Sequence, residues 1–97
     1  TKVVKAFNTV FAENMSKGKI GREKLTLLVA GDDEEAKRVV MDLGKEIGFI
    51  PVDVGNLKMA RYLEPMALLL INLGYNKKLG TAIGIKIAGI KDEKNAI

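Results

Sequence analysis

Apolar positions in this chain fall into two patterns, short continuous runs and longer stretches spaced at helical intervals, and the two alternate in order. Val3 to Phe7 (VVKAF) is an apolar run broken by one Lys, the pattern of a parallel strand buried on both faces. Leu25 to Ala30 (LTLLVA) is almost continuously apolar and predicts a second such strand. Phe49 to Val54 (FIPVDV) predicts a third, and Pro51 favours an edge position or a strand start there. Between the second and third, Asp32-Asp33-Glu34-Glu35 predicts a helix start. Asp32 suits the N-cap, Glu35 the capping-box position, and acidic side chains the positive helix end. Ala36, Val39, Val40, Leu43 and Ile47 recur at helical spacing as one apolar stripe. Lys37, Arg38, Asp42, Lys45 and Glu46 fall outside it and are expected mostly toward solvent, and Gly48 is the expected stop.

A long helix is predicted from about Leu57 to Tyr75, with Asn56 as a candidate cap and a kink at Pro65, which lacks an N–H. Met66 to Ile71 is apolar all round. A helix of that kind must be covered on every face, and a domain this small offers one core, so a partner domain or second subunit is expected against it. Phe11 to Met15 predicts a brief helical turn, and Ser16 to Arg22 a flexible Gly- and Lys-rich loop. Ile83, Ile85 and Ile87 alternate with Gly84 and Lys86, which predicts a half-buried last strand. Residues 90–97 read as a loose charged tail. The order is βαβαβαβ-like, an α/β fold with a mostly parallel sheet. The first strand starts at Val3 and needs neighbours on both sides, so the chain is expected to be the later part of a larger α/β unit.

Ninety-seven residues make a single domain, 1–97. Sixteen Lys and Arg against twelve Asp and Glu give +4, too small and too scattered an excess to predict nucleic-acid binding. The chain contains no Cys and no His, which removes thiol nucleophiles, disulfides, the usual zinc sites and imidazole acid–base chemistry. Met66 to Ile71 is far shorter than the roughly 20 residues that span a bilayer. No membrane partner is expected, and a cytoplasmic location is the default.

No GxGxxG and no GxxxxGK[ST] occurs. Gly31-Asp32-Asp33 sits between a strand and a helix as a phosphate loop would, yet two carboxylates there repel phosphate, and a helix cap is the better reading. Asn8 and Thr9, at the carboxyl end of the first strand, are the best site candidates. Their amide and hydroxyl can orient a planar ring by hydrogen bonds, or simply close a turn. Arg61 and Glu64 are three apart and can pair on one helix face; Asp53 reads as a turn carboxylate, and Lys86 as solvent-facing.

VVKAFNTV, LLVAGDDEEAK, GFIPVDVGNLKMARYLEPMA and LGTAIGIKI, in that order, resemble the second half of NADP-dependent oxidoreductases of the coenzyme F-420 reductase type. The oxidoreductase domain of STEAP-type metalloreductases is similar through the same stretches. The resemblance covers about Val3 to Ile87. It implies the late part of a Rossmann-type sheet with a small C-terminal helical and strand subdomain, without the glycine-fingerprint half that binds NADP. It implies hydride transfer between NADPH and a deazaflavin (coenzyme F-420) or a flavin. The acceptor ring would lie beside Asn8, Thr9 and Val10, with Leu79 and Gly80 near the same cleft. The helix over 57–75 would help form a homodimer. No catalytic acid or base and no metal is implied, since a direct hydride step rests on positioning two rings. On its own the chain is expected to be inactive or nearly so, and the other reading is a non-enzymatic dimerisation module.

Overall fold

The computed structural model describes residues 2–90. They form β1 (Val4–Lys5), α1 (Ala12–Met15), β2 (Lys19–Ile20), β3 (Glu23–Lys24), β4 (Thr26–Gly31), α2 (Glu34–Ile47), β5 (Ile50–Gly55) and α3 (Ala60–Ile71). A 3-10 turn at Leu57–Met59 leads into α3, and a π turn at Asn72–Asn76 follows it. The main sheet has the order β1-β4-β5, and β2 pairs with β3 in a separate hairpin. The architecture is α/β as expected, and the parallel pair β4–β5 is joined by α2 as its crossover.

β4 is buried along all six of its residues. Leu25, Leu27 and Val29 point into one apolar cluster with Val10 and Phe49, against which Val40, Met41 and Ile47 of α2 pack. Leu28 and Ala30 point the other way and meet Leu63 of α3, with Val52, Val54, Ala60 and Met66 around them. The continuous apolar run of the sequence is thus an alternation between two cores, one under each helix. Pro51 lies on β5, which is an edge strand as expected. Gly48 caps α2 at φ 130°, its N–H bonded to the carbonyls of Gly44 and Lys45.

Several expectations give way. β1 is two residues long, half-buried and antiparallel to β4, with Val4 opposite Gly31 and Lys5 opposite Ala30. The connection between them holds only the short α1 and the β2–β3 hairpin, so no crossover helix carries the chain back into parallel register. That hairpin occupies part of the stretch expected to be a flexible loop, turning at Gly21 with φ 60°. The N-cap of α2 is Asp33, whose Oδ2 accepts the Ala36 N–H at 2.7 Å. Asp32 instead accepts the Leu57 N–H at 2.8 Å, tying the end of β4 to the turn after β5. The expected last strand forms no ladder among the described residues. Residues 81–87 instead run as a strap beside the start of β4: Thr26 N–H donates to Ile85 O at 2.9 Å, and Ile87 N–H donates to Thr26 Oγ1 at 2.9 Å. Gly84 fits against Leu25, where a Cβ would lie 2.5 Å from Leu25 Cδ2. Ile90 is the only residue of the expected tail that is described; 91–97 lie outside the described residues.

The face of α2 turned to the sheet keeps Val40 and Ile47 of the predicted stripe but not Val39 and Leu43. Val39 and Leu43 are 65% and 50% exposed, while Lys37 is 3% exposed. Two features set this rotation. Gly44 has no side chain where Leu27 approaches, since a Cβ there would lie 2.4 Å from Leu27 Cδ2. Lys37 reaches inward to Asp53 on β5, its Nζ 3.0 Å from both carboxylate oxygens, with Glu34 at 3.3 Å and Gly55 O at 3.4 Å. A register shift between Val29 and Ala30 bulges β5 beside this contact, and Asp53 Oδ1 also takes the Gly55 N–H at 2.8 Å.

The pair makes stability depend on pH. Burial works against the charged Asp53, but hydrogen bonds from Lys37 and the Gly55 N–H outweigh it and hold the carboxyl below its ordinary 3.8. The hydrogen bond to Asp53 prevails over desolvation and holds Lys37 above its ordinary 10.5. Asp53 therefore adds stability above its unfolded pKa that is lost as pH falls through the lower folded value. Lys37 adds stability below its unfolded pKa that is lost as pH rises through the higher folded value. The urea midpoint should hold across neutral pH and fall at both extremes. Asp53→Asn should lower the neutral plateau and shrink the acid-side fall; an unchanged profile in that variant would remove the pair from the stability of the fold.

Candidate functional site

The chain leaves β1 through Phe7, a non-glycine residue at φ 64°. The Phe7 ring is held edge-on to Phe49, with centroids 5.8 Å apart. This corner turns Asn8 and Thr9 inward. Asn8 Nδ2 donates to Leu63 O on α3 at 3.0 Å, two residues before Pro65. Thr9 is 1% exposed. Asn8 Oδ1 and Thr9 Oγ1 are both buried and have no hydrogen-bond partner. Unpaired buried polar atoms are uncommon, and each costs about 1–3 kcal/mol. Val10 differs from its two neighbours in kind: its side chain belongs to the core under α2.

The antiparallel course of β1 places this corner toward the amino ends of β4 and β5. Asp32 and Asp33 lie at the opposite end of the sheet, where β4 runs out. The general preference for ligands outside the carboxyl ends of parallel strands therefore speaks for the Asp32–Asp33 end, not for Asn8 and Thr9. Yet Asp33 is occupied in capping α2 and Asp32 in holding the Leu57 N–H. A shallow recess of about 270 Å³ at that end is lined by both carboxylates with Lys2, Val3 and Leu57. Its carboxylates are ill-suited to phosphate.

Leu79 and Gly80 reach the Asn8–Phe11 segment by way of the π turn. Leu79 N–H donates to Leu73 O at 3.1 Å, and Gly80 N–H to Gly74 O at 3.0 Å. Gly74 is where three segments meet: a Cβ there would lie 2.9 Å from Phe11 Cζ and 3.0 Å from Gly80 O. Gly80 itself needs its φ of 84° to turn the chain at this point. Leu79 is 59% exposed. The five predicted site residues thus lie on two adjoining segments that touch through Phe11 and Gly74.

Asn14, which the sequence does not single out, joins the same two segments. It is 7% exposed. Its Nδ2 donates to Thr81 O at 2.9 Å and to Ile83 O at 3.0 Å, while its backbone N–H donates to Phe11 O at 3.0 Å. Partners 67 and 69 residues away leave no mark on local spacing.

The other candidates have structural partners. Asp53 serves Lys37 and its own turn. Glu64 pairs with Lys5, and Arg61 lies 6.0 Å from the Tyr62 ring centre. Lys86 pairs with Glu23 across to the hairpin. Among the described residues no cluster of three or more His, Cys, Asp or Glu could hold a metal ion, and no helix is long and apolar enough to cross a membrane. What the corner offers is neutral hydrogen-bond capacity, suited to orienting a ligand and not to moving protons.

No protein-family model matches the chain. It is 48% identical over 61 residues to the F420-dependent NADP reductase of Methanocaldococcus jannaschii, a match covering 61% of this chain and 27% of the relative. It is 38% identical over 69 residues to the metalloreductase STEAP3 of Rattus norvegicus, covering 71% of this chain and 14% of the relative. A candidate F420-dependent NADP-reductase from Arthrobacter sp. FB24 has the same fold at a TM-score of 0.81 and 31% identity, covering 91% of this chain and 40% of the other. The chain therefore spans about a quarter of the length of the first relative and less of the second.

The orphan hydroxyl can be tested without any ligand. Thr9→Val keeps the shape and removes the unpaired polar atom, so the variant should gain about 1 kcal/mol in urea unfolding. A loss of that size would mean that Thr9 Oγ1 has a partner in solution.

Proposed function

Because this chain is a relative of the F420-dependent NADP reductases in sequence and in fold, we propose that it is part of an NADP-dependent oxidoreductase. In this reading it supplies the acceptor side of the cleft in which hydride passes between NADPH and a deazaflavin or flavin. The observation that carries the reading is the corner at Asn8 and Thr9, where two buried polar atoms on adjacent residues are unpaired, on the segment whose Phe11 adjoins Gly74 as Gly80 O does. An N–H or O–H on the edge of a planar ring satisfies such atoms, and the Asn8–Leu63 hydrogen bond fixes the amide in advance. Leu79, exposed on the adjoining segment, offers an apolar surface to a ring face.

When bound, NADPH would supply a hydride to the acceptor ring, and the balancing proton would come from solvent. The protein's own task is to hold the rings at near-attack distance and keep water away. The absence of His and Cys is no obstacle to that task. The β4–α2 turn does not fit the dinucleotide: Asp32 and Asp33 stand where a pyrophosphate needs backbone N–H groups and glycine. The pyrophosphate contacts are assigned to residues outside these 97.

A test follows from this division. The chain alone should bind NADPH weakly. Fused behind the glycine-fingerprint half of the Methanocaldococcus relative, it should bind NADPH and consume it in the presence of coenzyme F-420 or a flavin. A folded fusion that binds NADPH yet reduces neither acceptor sinks the acceptor-side assignment.

A second reading, compatible with the first, is a homodimer formed through the helix over 57–75. Leu68, Leu69 and Ile71 are 68%, 59% and 46% exposed, while Leu63, Ala67 and Leu70 on the other side of α3 are buried. A groove of about 520 Å³ runs along this face between Pro65, Leu68, Leu69, Ile71, Asn72 and Asn76. A continuous apolar face of this kind on a small domain calls for a cover. Sedimentation at micromolar concentration should show a dimer, and Leu68→Lys with Leu69→Lys should give a folded monomer. A wild-type monomer at that concentration overturns the dimer.

A further inference from the structure

We propose that Asn14 is the positioning residue that sets the distance between the two walls of the acceptor cleft, an inference that rests on the acceptor-side reading above. Its side-chain amide and its backbone hold opposite walls. The backbone N–H is bonded to Phe11 O, at the end of the Asn8–Phe11 segment. Both hydrogens of Nδ2 are used on the other segment, one on Thr81 O and one on Ile83 O. The Asn14 carbonyl accepts from Gly18 N–H at 3.0 Å, which anchors the residue to the hairpin as well.

The chemistry required at this position is narrow. Two carbonyls, those of Thr81 and Ile83, face the same point, so the side chain there must present two donors and bear little exposure. A primary amide does this; a carboxylate of the same shape would face two carbonyl oxygens with no donor at all. The strap has other bonds at Thr26, but these lie at Ile85 and Ile87, beyond Gly84. Leu79 and Gly80 are attached on their other side to the π turn, at Leu73 and Gly74. Asn14 thus holds the 81–83 stretch between these two attachments. Without its amide, Leu79 and Gly80 keep their link to the π turn, but the strap behind them loses its connection to α1.

The test uses the full chain carrying Asn14→Asp, with Lys86→Ala as a control that loosens the same strap at its surface pair with Glu23. Amide hydrogen exchange is read at 79–85 and at β4, and FMN and coenzyme F-420 are each titrated by ring fluorescence. In Asn14→Asp, exchange at 79–85 should accelerate while β4 stays protected, and affinity for the bound ring should fall about tenfold or more, the scale of two lost hydrogen bonds. Lys86→Ala should leave ring affinity unchanged. Should Asn14→Asp fail to fold, Asn14→Ser is measured in the same way. Unchanged exchange at 79–85 in a folded variant overturns the clamp. Accelerated exchange with unchanged ring affinity leaves Asn14 a structural residue only and overturns its positioning role. If the wild-type chain binds neither ring, the acceptor-side reading itself fails, and the positioning role with it.

Discussion

Every other element of this molecule answers to the burial of β4. A strand buried along all six residues must satisfy its apolar side chains on two faces and its backbone on two edges. The faces are covered by α2 and α3, and one edge by β5. The other edge is shared. β1 covers only Ala30 and Gly31, because the chain turns away at Phe7, and the C-terminal strap covers Thr26. That sharing brings β1 and the C-terminal strap to opposite ends of one edge of β4, with the corner at Asn8 and Thr9 following β1.

Polar groups inside the fold divide sharply into the satisfied and the unsatisfied. Lys37 is nearly inaccessible, yet it meets two carboxylates and a carbonyl. Asn14 uses both amide hydrogens, and Thr26 uses its hydroxyl. Against this background Asn8 Oδ1 and Thr9 Oγ1 stand out as neighbours with nothing to bond. Unpaired atoms scattered through a core would point to loose packing. Two on adjacent residues, beside fully paired ones, are the atoms that the proposed ring would satisfy.

Features governed by local chemistry were legible in the sequence. The unbroken run at β4, the glycine stop at Gly48 and the edge position of Pro51 in the described sheet follow from side-chain type and spacing. Features governed by distant partners were not. Lys37 reads as a surface residue until Asp53 is placed opposite it, and its burial then turns α2 so that Val39 and Leu43 face out. The direction of β1 depends on whether the connection after it crosses over, which a strand's own residues do not encode. Of the site, Asn8 and Thr9 were visible as polar residues at a strand end, whereas Asn14 was not, because its partners lie at Thr81 and Ile83. The alternating isoleucines predict a half-buried strand, but Ile87 is exposed, Gly84 packs on Leu25, and the described bonds to β4 come through Thr26 and build no ladder.

Gly84 gives that strap a reference point. An extended segment attached at a few places can slide by one residue, and such a slip exchanges its inward and outward side chains. Here a slip in either direction would bring Ile83 or Ile85 to the spot where even a methyl group would overlap Leu25. The one missing side chain therefore acts as a notch that favours a single seating of the strap on Leu25.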